Sequence, residues 1–138
     1  MKRTATFVLF LACLTASPSL AEQPQEMADA FFTAYIGGSG GDALDSFFAG
    51  NPLVSQKAQQ IQLLKSQLTT VDSLDGAPFA YEIVSREQLA PSLERHVYIT
   101  KHKHHPVTWE MYFYRPGKDW VPDQLLFVDQ YQTIGSKK

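Results

Sequence analysis

The sequence has almost no cysteine: Cys13 is the one thiol in 138 residues. It lies within an apolar segment, Phe7 to Ala16, that follows Lys2 and Arg3 and precedes Ser17-Pro18 and Ser19-Leu20-Ala21. A basic start, a short apolar run and a small-residue stop make the pattern that a signal peptidase reads. The expectation is a signal peptide over 1–21, cleaved after Ala21, and a single periplasmic or secreted domain over 22–138. Lipidation of Cys13 is the alternative, and the apolar run before it is short for that role. Cleavage after Ala21 removes the thiol, which excludes disulfides, thiolate metal sites and cysteine nucleophiles together. Long hydrophobic runs are also missing. No stretch approaches the roughly 20 apolar residues of a membrane-spanning helix, so no stable membrane insertion is expected after cleavage.

Basic charge is scarce as well. Without Lys2 and Arg3, ten basic residues face fourteen acidic ones, which argues against a nucleic-acid partner. No glycine-rich phosphate-cradling motif occurs, so no cofactor is expected. No repeat or low-complexity tract divides the chain, and its length suits one domain.

What the sequence does contain is two textures in succession. Met27, Phe31, Ala34 and Tyr35 recur at helical spacing, with Phe32 and Ile36 widening the stripe. "GGSGGD" must end that helix. Asp42 then reads as the cap of a short second helix with Ala43, Leu44, Phe47 and Phe48 on its apolar face. Asn51-Pro52 reads as the start of a third, whose stripe is Val54, Ala58, Ile61, Leu64, Leu68 and Val71. From Gly76 the period becomes two: "FAYEIVSRE", "LERHVYITKHK", "VTWEMYFYR" and "WVPDQLLFVDQYQTI" read as four strands. "RPGKD" supplies turn chemistry between the last two, and Pro122 calls for a bulge or a sheet edge. The fold class is therefore α+β, with three N-terminal helices packed on one face of a four-stranded antiparallel sheet. Phe47, Leu64, Trp109 and Phe127 are expected between the layers.

That order, together with "ADAFFTAYIGGSGGDALDSFF", "RHVYI", "PVTWEMYFYRP" and "YFYRPGKDWVPDQLLFVD", resembles the NTF2-like superfamily of cystatin-like α+β cones, in particular its small exported bacterial members. The resemblance implies a curved sheet wrapped around the helices. It also implies pairing of two copies through the outer sheet surface. Some members of that superfamily are isomerases or dehydratases with a carboxylate or histidine inside the cone. No residue here matches their acid–base signature, so no catalytic residue is assigned.

Three segments invite chemical readings. "GGSGG" satisfies the G-x-S-x-G pattern of a nucleophile elbow, but that motif needs a strand to enter the turn and here a helix enters. Ser39 is read as loop. "KHKHHP", Lys101 to Pro106, holds three of the four histidines. On a strand His102 and His104 share one side, with their Cα atoms about 6.6 Å apart. A tight zinc site needs further ligands that the spacing does not supply. The segment is read as a solvated hairpin end, with no metal.

The third segment is the sheet itself. If Val97, Ile99, Trp109, Met111 and Phe113 face the helices, then Arg95, Ser85 and Asp129 share that face while Glu82, His96 and Glu110 point outward. Arg95 and Asp129 would form an ion pair at the mouth of the cone. Arg95, Tyr98, Trp109 and Asp129 are the candidate ligand-binding residues, suited to a small, partly apolar or anionic molecule. The expected function is a ligand-binding or accessory module without catalysis. The alternative is a cofactor-independent isomerase or dehydratase using a cone carboxylate or His96. Tyr98, Tyr112 and Tyr114 on the other face predict a homodimer.

Overall fold

The computed structural model describes residues 23–128. The signal-peptide expectation, Asp129 and the end of the fourth predicted strand lie outside them. Helix α1 (Pro24–Gly37) opens with Pro24, and the Glu26 carboxylate accepts a hydrogen bond from the Gln23 amide at 3.0 Å. That bond satisfies one of the free donors of the first turn. Ala28, Phe31, Phe32 and Tyr35 form its buried stripe.

Helix α2 (Gly40–Phe48) begins three residues earlier than the sequence reading placed it. Ser39, not Asp42, is its cap, with Oγ accepting from the Asp42 amide at 3.4 Å. Gly40 is required by a close approach. A Cβ there would collide with Leu68 Cδ2 and stand 3.1 Å from Tyr35 Cε2. The glycine run thus seats α2 against its neighbours, and Ser39 has a capping role.

Helix α3 (Ala58–Asp75) starts later than Asn51-Pro52 suggested. Asn51 is buried and tied elsewhere: its Oδ1 accepts from Leu53 N at 2.7 Å, and its Nδ2 donates to Pro122 O at 2.7 Å. Residues 52–57 form turns, which leaves Val54 exposed. Ile61, Leu64 and Leu68 make the buried stripe. Gly76, at φ +86°, ends the helix in a conformation that side chains with a Cβ rarely adopt.

Strands β1 (Ala80–Ala90), β2 (Leu93–Lys101), β3 (Val107–Tyr114) and β4 (Val121–Val128) form an antiparallel sheet in the order β1-β2-β3-β4. Each strand therefore pairs with its neighbour in sequence. The register shifts beside Phe113 and Pro122, on edge strand β4, where proline calls for such an irregularity. The helices meet one face only. Phe31 packs on Trp109 at 5.3 Å, Phe32 on Tyr98 at 4.8 Å and Phe47 on Phe113 at 5.9 Å between ring centroids. Phe47, Leu64 and Trp109 are buried between the layers, with Phe127 partly buried against them. No helix of the described residues is long and apolar enough to cross a membrane.

The two faces of β2 are the reverse of the sequence reading. Tyr98 lies opposite Trp109, His96 opposite Met111 and Thr100 opposite Val107, so His96, Tyr98 and Thr100 face the helices. Arg95, Val97 and Ile99 face outward with Tyr112, Glu110 and Thr108. The apolar residues of β2 fall on both parities, and the β-branched pair misled the pattern. The outer tyrosine patch loses Tyr98 to the core. On that face Tyr112 hydrogen-bonds Glu110 at 3.0 Å, and Tyr114 and Leu126 are exposed.

Candidate functional site

The space between helices and sheet is filled. Trp109 is fully buried, with Phe127 at 5.0 Å, Tyr35 at 5.6 Å and Phe32 at 5.8 Å around it in addition to Phe31. Tyr98 stands beside it, also fully buried. Of the four candidate ligand-binding residues, Tyr98 and Trp109 are together in this core, Arg95 is on the opposite face, and Asp129 lies outside the described residues.

Arg95 is engaged by carboxylates. Its Nε and Nη2 donate to both oxygens of Glu110 at 3.0 and 2.8 Å, and its Nη1 donates to Glu87 at 3.4 Å. The paired hydrogen bonds to Glu110 hold the guanidinium above its ordinary pKa and outweigh the opposing effect of burial. Two planar groups meeting edge to edge use the fork that an anionic ligand would need.

His96 is sealed in the core at 1% exposure, its ring 5.1 Å from Phe113. One nitrogen, Nε2, lies 2.9 Å from Glu94 Oε2, and Nδ1 lies 3.3 Å from the Tyr98 hydroxyl. A carboxylate opposite Nε2 places the proton there, so Nδ1 accepts from Tyr98. Both nitrogens are thus committed, and a general base needs one open to substrate. Burial lowers the His96 pKa below 6.5, against the pull of Glu94. The neutral ring is therefore favoured by folding, and the unfolded chain takes up the proton first. Stability is complete above about pH 6.5, declines as pH falls toward the folded pKa, and levels off below it. Urea titrations of wild type and His96→Gln across pH 5 to 8 should show this slope in the wild type, reduced in the variant.

"KHKHHP" divides into unlike parts. His102 is buried, contrary to the solvated reading. Its Nδ1 lies 2.6 Å from Gly76 O, and its Nε2 lies 2.9 Å from Thr100 Oγ1, which also accepts from Trp109 Nε1 at 2.9 Å. A carbonyl can only accept, so Nδ1 carries the proton and Thr100 donates to Nε2. The chain Trp109–Thr100–His102–Gly76 ties the end of α3 to the sheet. His104 is exposed, and His105 is partly exposed with Nδ1 2.7 Å from Pro106 O. No group of three or more metal-ligating side chains forms among the described residues. His102→Ala should cost about 1 to 3 kcal/mol by stranding buried polar groups. His104→Ala should stay within about 0.5 kcal/mol. Thermal or urea unfolding of the two variants side by side checks both.

The concave feature best suited to a ligand lies at the rim of the layers, with a volume of about 310 Å³. Met27 and Phe31 of α1, Ser46 and Phe47 of α2, and Asp119 and Trp120 of the β3–β4 connection line it. That connection is held in place. The Arg115 amide donates to Ser92 O at 2.9 Å, its Nη2 donates to Pro91 O at 2.9 Å, and its guanidinium lies 4.9 Å from the Trp120 ring centre. Gly50 and Pro122 close the far side. None of these residues was among the sequence candidates. The available signal was Trp120, a large aromatic placed directly after turn chemistry. Comparison with protein-family models, with curated proteins and with solved structures finds no match for this chain.

Proposed function

We propose that this chain is an exported NTF2-like α+β cone domain that binds a small, largely apolar molecule at the rim cleft and performs no chemistry itself. One observation carries the reading: side chains fill the interior, and the recess opens instead between α1, α2 and the β3–β4 connection. Its volume is at the lower end of the range for small-molecule sites, enough for about one ring and a short substituent. The three-helix-then-meander order supports the family assignment, and the segment from Lys2 to Ala21 supports export. An isomerase or dehydratase would need an accessible titratable group in the cone, and His96 offers no such access.

Gly50→Phe is the blocking variant of choice. Gly50 is not in the left-handed region, and a Cβ there meets only Pro122 Cδ at an ordinary 3.7 Å. Native mass spectrometry of protein purified from its own host should show a co-purifying small molecule that Gly50→Phe does not carry. Retention of the same molecule by a folded Gly50→Phe protein would refute the cleft as the site. The outer sheet face, with Tyr114 and Leu126 exposed, is the surface for a second copy. Light scattering up to about 100 μM should show the mass doubling, and a constant monomer mass would exclude a dimer tighter than about −5.5 kcal/mol.

A further inference from the structure

We infer that the rim cleft prefers a ligand whose apolar body ends in a positively charged ammonium group. This rests on the cleft being the binding site. Three aromatic side chains, Phe31, Phe47 and Trp120, supply the apolar walls, and aromatic faces attract cations as well as hydrocarbon. Asp119 is the one charged side chain among the described residues of the lining. It makes no hydrogen bond or ion pair with any described residue. The neighbouring bases lie outside the lining: Arg115 donates to Pro91 O and stacks on Trp120, Lys57 donates to Asp123 O at 2.8 Å, and Lys118, next to the exposed Asp119 in sequence, is itself exposed. An anion would therefore meet an unpaired carboxylate and no open cation in the lining. An ammonium would meet its complement. Repulsion of one sign and attraction of the other both favour the cation.

Three probes of one shape decide it: 2-phenylethylammonium, 2-phenylethanol and phenylacetate, titrated against the protein by NMR at low ionic strength. The ammonium probe should bind roughly tenfold more tightly than the alcohol, with phenylacetate weakest. Asp119→Asn should bring the ammonium probe down to the affinity of the alcohol, and added salt should weaken the ammonium probe alone. Gly50→Phe should abolish all three. Equal binding of the three probes, lost in Gly50→Phe, overturns the charge preference and leaves the cleft as a site. Binding that persists in Gly50→Phe, or no binding of any probe, overturns the cleft reading and this inference with it.

Discussion

Trp109→Ala should destabilise the protein by about 3 to 5 kcal/mol in urea unfolding, the range for truncating a fully buried large aromatic. The ring is enclosed by Phe31, Phe32, Tyr35 and Phe127, which come from α1 and β4. Those elements cannot close the gap without moving both layers. The loss goes beyond volume, because the indole N–H donates to Thr100, which in turn donates to His102. Trp109→Phe, which keeps most of the packing and removes the donor, should cost a fraction of that. A change below about 1 kcal/mol for Trp109→Ala would show the ring is not enclosed.

Glu110→Ala should cost about 3 kcal/mol, by a different mechanism. The Arg95 side chain is only 5% exposed, and Glu110 supplies its two-point partner. Removing it leaves the buried guanidinium with Tyr112 and with Glu87, which is 3.4 Å away and 41% exposed, as its remaining partners. Breaking a buried pair from one side is expensive, whereas replacing both members with apolar groups is often neutral. Arg95→Leu combined with Glu110→Leu should therefore recover most of the stability lost by Glu110→Ala. A double variant no better than the single one would place the worth of the cluster in its hydrogen bonds to the rest of the sheet face.

The readable parts of the sequence were those where a single period dominates. Phe31, Phe32 and Tyr35 fall on one helical stripe, and Val107, Trp109, Met111 and Phe113 on one parity of β3; both bury as their spacing predicts. In β2 both parities carry apolar residues, so alternation alone could not choose a face. What chose it was hydrogen bonding: Thr100 and His96 enter the core because Trp109, His102, Glu94 and Tyr98 satisfy them there. Those partners are set by strand register, which no local pattern announces. His102 was misread for the same reason, since its acceptor is the backbone carbonyl of Gly76. Asn51 reads as a helix cap until the distant Pro122 carbonyl claims its amide. The cleft is assembled from three separate segments, in which Met27, Phe31 and Phe47 read as core and Pro122 as a bulge, so no local pattern marks them as a shared lining.

The meander order of the sheet has a consequence for how the chain reaches this state. Every strand pairs with the one synthesised just before it, so the sheet can zip up through short loops with little closure entropy. The helices pack on one another, Phe31 meeting Phe47 at 5.6 Å between ring centroids, but that contact covers only part of their apolar surface. The apolar stripe of α1 finds its main partners on Trp109 and Tyr98, late in the chain, and α2 finds Phe113. As the chain emerges, the helical half must hold exposed aromatics until β3 arrives. Hydrophobic surface exposed in that interval is the raw material of aggregation. Until the third strand is made, the part of the helical aromatic surface that Trp109 and Phe113 cover has no partner.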